Sequence, residues 1–212
     1  MLPNRSTNRP VIVAGLTLLF VIGVLQMGQG VWIYTKAELA QHLIAGSWQQ
    51  SLHKQPAGGG VKQGIKPWPW ADTWPVARLQ LSNYGIDMFV LAGGTGNTLA
   101  FGPGHLTASS DFDQQGAKII AGHRDTHFNF LKNIVVGDKL VITDLTARRV
   151  EYKVESLEVV DSRQSRLNVL QDVDQLVLVT CFPFDAIEPT TLRYKVIAKP
   201  VVNQTFFEGR KL

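Results

Sequence analysis

One long apolar stretch dominates the start of the chain. Thr17 is the only polar side chain in residues 11–25, and the apolar character continues to Tyr34. As a helix, residues 11–34 would extend about 36 Å at about 1.5 Å per residue, enough to cross a hydrocarbon core of about 30 Å. The pattern therefore predicts a transmembrane helix over 11–34.

The residues that flank this stretch predict its orientation. Arg5 and Arg9 precede it, whereas Trp32 and Tyr34 close it. Positive charge marks the cytoplasmic end of a span, and amphipathic aromatic residues favour an interface. We expect a cytoplasmic N-terminus at 1–10 and a single-pass signal anchor. A cleaved signal peptide is the alternative, but the stretch is long and no clean small-x-small cleavage site follows it. Both interpretations export the rest of the chain.

The sequence pattern over 35–74 predicts a helical stalk followed by a linker. Apolar residues recur at helical spacing over 35–54, among them Leu43, Ile44 and Trp48. A Pro/Gly-rich break at 56–60 and a Trp-Pro-Trp segment at 66–70 then rule out regular structure. We expect the tryptophan segment to pack on its own domain as an extended strap; a ligand for an aromatic-lined groove is the alternative.

From residue 75 onward the pattern changes to short strands separated by turns. Strands are predicted over 76–81, 86–91, 118–121, 139–143, 149–160, 176–181 and 192–198. Helical signal is confined to short turns near 99–102 and 128–134. This pattern indicates a mainly β domain over 75–212, either a closed barrel or a sandwich.

Composition narrows the function classes. The chain has 212 residues, a net charge of +4 and 18% charged residues, which suits one ordinary domain with additional segments. No block of lysine or arginine dominates, so nucleic acid is not an expected partner.

A single cysteine carries the most informative chemistry. Cys181 ends one predicted strand, His123 follows another, and Arg193 lies in the strand after Cys181. A thiolate attacks a carbonyl, an imidazolium protonates the leaving amine, and a guanidinium stabilises the oxyanion. The three residue types therefore predict acyl transfer. The alternatives are a buried inert thiol, a structural histidine and a surface cation.

Other readings of the same segments stay open. His123, Asp125 and His127 would share one face of an extended strand and could hold zinc for hydrolysis. A non-catalytic anchored module that binds peptides would use the same groove. Asp111 and Asp113 could contribute to a calcium site, although a polar surface loop explains them as well.

Three short motifs carry a family resemblance. AGHRD at 121–125, LVTC at 178–181 and LRY at 192–194 resemble the active-site motifs of the sortases, and LAFGPGHL at 99–106 resembles the segment before the catalytic histidine of that family. The longer strings at 121–131 and 181–185 are similar to the sortase class of Gram-negative proteobacteria.

The resemblance implies a fold and an activity. It implies a closed eight-stranded β-barrel with short helices, preceded by the membrane helix and stalk. It also implies a membrane-anchored cysteine transpeptidase that cuts an LPxTG-like C-terminal sorting signal between Thr and Gly, holds a thioester and passes it to an amine. Cys181 would be the nucleophile, His123 the general acid and base, and Arg193 the oxyanion-stabilising residue. No cofactor or metal is expected.

The resemblance also implies contacts and partners. Thr180, Asp125 and His105 are the candidate substrate-binding residues, although His105 could be packed and Asp125 could fix its loop. The loop at 161–174 corresponds to the region that shapes motif specificity. The expected partners are a protein with the sorting signal, an amine acceptor of the cell envelope, and the inner membrane, with the catalytic domain on its periplasmic side.

Overall fold

The computed structural model describes residues 9–53, 64–164 and 173–201. Contacts divide the chain into two compact units, 1–42 and 43–212. Arg5, the Pro/Gly-rich break at 56–60 and most of the loop at 161–174 lie outside the described residues. The domain boundaries expected from the sequence therefore stay predictions.

The N-terminal helix, α1, covers Arg9–His53. Among the described residues, its Val11–His53 portion is the one helix long and apolar enough to cross a membrane. Leu16, Phe20 and Leu25 are exposed along it. This pattern is consistent with a single-pass anchor, and the predicted stalk helix is the continuation of the same element.

The second unit contains a closed barrel of eight strands. In order around the barrel these are β1-β2-β3-β4-β7-β8-β6-β5. The strands are β1 Pro75–Leu81, β2 Ile86–Ala92, β3 Gly104–His105, β4 Ala117–Ala121, β5 Lys139–Asp144, β6 Arg149–Asp161, β7 Gln175–Cys181 and β8 Leu192–Pro200. A short helix, α2 (Gly96–Phe101), follows β2, and 3-10 turns cover Ser82–Tyr84 and Asn129–Asn133. The closed eight-stranded barrel is confirmed; β3, only two residues long, was not predicted.

Alternation along the strands fills the barrel interior. Leu79, Ile120, Leu176, Leu178 and Val196 belong to one large buried cluster, because every second side chain of a strand points to the same face. Burial of this apolar surface is the main stabilising contribution to such a domain.

The outer face of β4, β7 and β8 is also apolar. Ile119, Val177 and Val179 form a second, smaller cluster, against which Leu106 and Ile197 pack. These strands therefore carry buried apolar side chains on both faces over part of their length.

The end of α1 and the strap pack on the barrel. Trp48 is buried and its ring lies 5.8 Å from that of Phe89. In the strap, Trp68 meets Phe101 at 5.2 Å between ring centroids, and the Thr73 hydroxyl donates to a β2 carbonyl at 2.7 Å. Trp70, by contrast, is 82% exposed. The strap thus packs on its own domain through one tryptophan of the pair.

Candidate active site

The strand register brings the candidate residues to one place. In the antiparallel pair of β7 and β8, Cys181 lies directly opposite Arg193. In the parallel pair of β4 and β7, Ala121 lies opposite Val179. The chain leaves β4 toward His123 at the same end of the barrel at which β7 ends in Cys181.

Two hydrogen bonds hold the segment before His123 against β7. The Gly122 amide donates to the Val179 carbonyl at 3.1 Å, and the Thr180 hydroxyl donates to the Gly122 carbonyl at 2.7 Å. Thr180 is buried, and its hydroxyl connects β7 to the segment that follows β4.

A groove of about 630 Å³ opens at this point. It is lined by Leu99, Leu106, Ala121, Gly122, His123, Val160, Ser162, Val179, Thr180, Cys181, Arg193 and Lys195. The thiol of Cys181 is free and half-buried, and His123 is exposed. The structure therefore brings Cys181, His123 and Arg193 to one solvent-accessible surface, which we call the catalytic groove.

Backbone carbonyls restrain the guanidinium of Arg193. Its Nη1 donates to the carbonyl oxygens of Thr190 and Leu192, at 2.8 Å each. A planar guanidinium that is fixed through one nitrogen has further N–H donors for a substrate oxygen. This arrangement suits the stabilisation of developing negative charge beside Cys181.

Arg124 is a residue that sequence reasoning missed. Its Nη2 donates to the carbonyl oxygens of Ala186 and Glu188, in the loop between β7 and β8. Its Nη1 is buried and has no hydrogen-bond partner among the described residues. The residue next to His123 therefore binds the loop that joins Cys181 to Arg193. Its position beside His123 in the motif was the available signal.

The same loop is held by further contacts near its ends. The Thr190 hydroxyl donates to the Phe182 carbonyl. The rings of Phe182 and Tyr194 stack at 6.0 Å between centroids, and Phe184 meets Tyr194 edge-on at 5.3 Å. Burial raises the pKa of Tyr194 above its ordinary value. These contacts fix the two ends of the loop between β7 and β8.

Two of the three candidate substrate-binding residues do not line the groove. Asp125 is exposed and does not line it; its backbone carbonyl accepts a hydrogen bond from Asn129 at 3.5 Å. His105 is 5% exposed and pairs with Ile120 on the inner face of the barrel. Thr180 alone lines the groove.

The contacts of His105 favour the packed alternative. Its Nε2 lies 3.0 Å from the Ser110 carbonyl oxygen, and its ring centroid lies 4.7 Å from that of Phe112. Burial lowers the pKa of His105. His105 lines a second cavity of about 420 Å³, near the start of β4 and the end of β5, that is, at the opposite end of the barrel from Cys181.

The metal alternatives find no ligand set in the structure. Across residues 9–53, 64–164 and 173–201, no group of three or more His, Cys, Asp or Glu side chains is arranged to hold a metal ion. His127 is half-buried, and burial, followed by the neighbouring charge of His123, lowers its pKa. The geometry of the described residues therefore does not support the zinc or the calcium hypothesis.

Comparison with known proteins connects the chain with one family. A family model described as the sortase domain matches residues 79–201. Sortase D of Bacillus subtilis (strain 168) is 27% identical over 124 residues, which cover 58% of this chain and 62% of that relative. The chain thus matches less than two thirds of the relative's length.

Solved structures share the barrel. Sortase A from Corynebacterium diphtheriae matches with a TM-score of 0.56 and 20% identity, over 76% of this chain and 84% of that one. A Clostridium perfringens Sortase D5 transpeptidase matches with a TM-score of 0.53 and 22% identity, over 73% and 86% of the two chains. These likenesses concern the fold. Because the sortase-domain model covers more than half of the sequence, the chain belongs to the sortase family.

Proposed function

We propose that this protein is a membrane-anchored cysteine transpeptidase that cleaves an LPxTG-like C-terminal sorting signal and transfers the acyl group to an amine. The observation that carries the proposal is the catalytic groove, which the only cysteine of the chain lines together with His123 and Arg193. Family membership supports the same reaction class.

The first half-reaction forms a thioester. The Cys181 thiolate attacks the carbonyl carbon of the scissile peptide bond, and Arg193 donates hydrogen bonds to the oxygen as it becomes negative. When the tetrahedral intermediate collapses, the carbon–nitrogen bond breaks and His123 gives its proton to the leaving amine. The acyl group stays on sulfur.

The second half-reaction reverses these roles. An incoming amine attacks the thioester carbon while His123 takes a proton from it. The carbon–sulfur bond then breaks and regenerates the thiolate of Cys181. Water in place of the amine would give hydrolysis, so transfer is distinguished from hydrolysis by the mass of the product.

The apolar helix supports a location at the inner membrane. Arg9 lies at its start, whereas Trp32 and Tyr34 lie farther along. On this basis we place the barrel on the periplasmic side, as the motif resemblance to the class of Gram-negative proteobacteria also suggests. The substrate is then an exported protein with the sorting signal, and the acceptor is an amine of the cell envelope.

Intact-mass spectrometry tests the proposal directly. The full chain in detergent micelles is incubated with a library of LPxTG-type peptides, with and without candidate amines. We expect a thioester adduct on Cys181, its absence in the Cys181→Ala variant, and an amide product when an amine is present. If no peptide acylates the thiol, or if Cys181→Ala still turns peptide over, the proposal is wrong.

A further inference from the structure

The catalytic groove contains a second cation beside Arg193. Arg193 and Lys195 both line it, and none of its described lining residues carries a carboxylate. The two cations are separated by one residue of β8, so their side chains leave the strand on the same face. Two cations on one face of a partly enclosed groove attract an anionic ligand, and the ion pair of Lys195 with Glu158 reduces this attraction without removing it.

The register gives the distance of Lys195 from the reacting centre. Lys195 lies opposite Val179, two residues inward from the pair formed by Cys181 and Arg193. Two residues of strand correspond to about 7 Å. An extended substrate has the same rise per residue, so a side chain within two residues of the scissile bond would reach the ammonium group.

The ammonium group is oriented by a fixed partner. Lys195 Nζ lies 2.8 Å from Glu158 Oε2, and the side chain of Lys195 is only 19% exposed. An ammonium has three N–H donors, and this ion pair occupies one of them. Because the lysine is largely shielded from water, a second carboxylate would interact with it more strongly than with a solvent-exposed lysine.

We propose that Lys195 is a specificity-determining residue that selects sorting signals with an Asp or Glu side chain at the x position, the second residue before the scissile bond. The acyl part of the substrate must stay bound after cleavage, and the groove extends from Cys181 past Val179 and Lys195 to hold it. The apolar walls at Leu99 and Leu106 accept the neighbouring side chains. This inference rests on the proposed function.

Matched peptides measure the selection. Peptides that differ only by Glu, Gln or Lys at the x position are compared by the rate of thioester formation on Cys181 of the full chain in micelles. We expect kcat/KM for the best Glu peptide to exceed that of its Gln partner about fivefold, with the Lys peptide slower still. Lys195→Met should remove the difference, and Lys195→Glu should reverse the order.

The chain offers two informative companion variants. Lys199 lies on the same face of β8 and pairs with Glu155 at 2.8 Å, but it does not line the groove. Lys199→Met should therefore keep the full preference for Glu. Glu158→Gln removes the intramolecular competitor of the substrate and should increase the preference. Raising the salt concentration should reduce it, because ions screen partly exposed charges.

The outcomes separate this inference from the proposed function. Equal rates for Glu and Gln peptides in the unmodified protein, or a preference that survives in Lys195→Met, overturn the role of Lys195 and leave the transpeptidase intact. Absence of a Cys181 adduct with every peptide overturns the proposed function, and the specificity role falls with it.

Discussion

The two cavities of the barrel both contain ionisable side chains, which are accessible in the catalytic groove and buried with hydrogen-bond partners in the second cavity. In the catalytic groove, Cys181 is a free thiol and His123 is exposed to solvent. In the second cavity, His105 is buried against the Ser110 carbonyl, and Asp144 is 4% exposed. Asp144 accepts hydrogen bonds from the Thr146 amide and hydroxyl and from the Arg148 backbone and side chain.

The difference shows what separates a reactive site from a structural one in this fold. Polar groups whose hydrogen bonds are already made by the protein stabilise the fold, since breaking them costs free energy. Groups that stay accessible can exchange protons or bonds with a substrate. We therefore expect substitutions in the groove to abolish turnover, and substitutions in the second cavity to lower stability.

The largest effect should follow from removing the nucleophile or the proton donor. Cys181→Ala should abolish thioester formation, and His123→Ala should lower the acylation rate about 10²- to 10⁴-fold, with little change in the unfolding midpoint. Peptide turnover and urea unfolding measure the two quantities. His105→Gln is the matched control: it should keep activity per folded molecule. Loss of turnover in His105→Gln with unchanged stability would contradict the distinction between the cavities.

Arg193 should show the next largest effect. Arg193→Met removes the donors beside Cys181 and should lower kcat about 10²- to 10³-fold while KM changes less, because the oxyanion exists only in the transition state. Arg193→Lys keeps the charge without the rigid planar donors and should recover part of the rate. A rise in KM of the same factor, with kcat unchanged, would assign Arg193 to substrate binding alone.

Asp144 tests the second cavity. Asp144→Ala removes the acceptor of the Thr146 amide and hydroxyl and of the Arg148 amide. The half-exposed guanidinium of Arg148 also loses its ion pair but keeps its bond to the Phe112 carbonyl. We expect the free energy of unfolding to fall by about 2–3 kcal/mol, while kcat per folded molecule is unchanged. Urea unfolding and turnover corrected for the folded fraction measure this. A selective loss of kcat in a fully folded variant would place Asp144 in the chemistry.

Seven of the eight strands could be predicted from short apolar runs separated by turns. The pattern alone left a closed barrel and a sandwich open, and the closed barrel followed from the family resemblance. The bounds expected for β7, 176–181, differ by one residue from the observed Gln175–Cys181, and the motif at its end fixed the position of Cys181. β3 could not be predicted, because Gly104–His105 is too short for a periodic pattern. A two-residue strand is determined by its neighbours, not by its own sequence.

The reactive residues of the candidate site could be predicted from the sequence, whereas the residues that hold them in place could not. Cys181, His123 and Arg193 carry distinct chemistry and fall at strand ends, where the structure brings them to one groove. His105 resembled a groove residue by its place in the motif, but pairing with Ile120 turns it to the inner face. The role of Arg124 could not be predicted beyond its place beside His123 in the motif, because its partners are backbone carbonyls of a distant loop, which side-chain patterns do not show.

Arg124 is expected to act as a positioning residue for the groove. Arg124→Met releases the carbonyls of Ala186 and Glu188 from its guanidinium. We expect kcat to fall about tenfold, because displacement of the loop misaligns Cys181 and Arg193, with KM nearly constant. Arg124→Lys should restore part of the rate through one remaining contact. If the Met variant loses stability but keeps kcat per folded molecule, the role of Arg124 is structural only.

The smallest effect concerns the pH dependence of stability at His105. Burial holds its folded-state pKa below the ordinary value, with the charge of Asp111 and the Ser110 carbonyl acting in the opposite direction. Between the unfolded and folded pKa values the unfolded chain binds the proton and the folded one does not, so stability falls as pH drops below about 6.5 and is fully present above it. His105→Gln should flatten this part of the profile in urea unfolding between pH 7.5 and 5. His127, whose pKa is also lowered, keeps its own contribution in both proteins, so the difference between the two profiles isolates His105. Identical slopes would show that His105 takes up its proton as readily in the folded barrel as in the unfolded chain, and the second cavity would then be open to water in the same way as the groove.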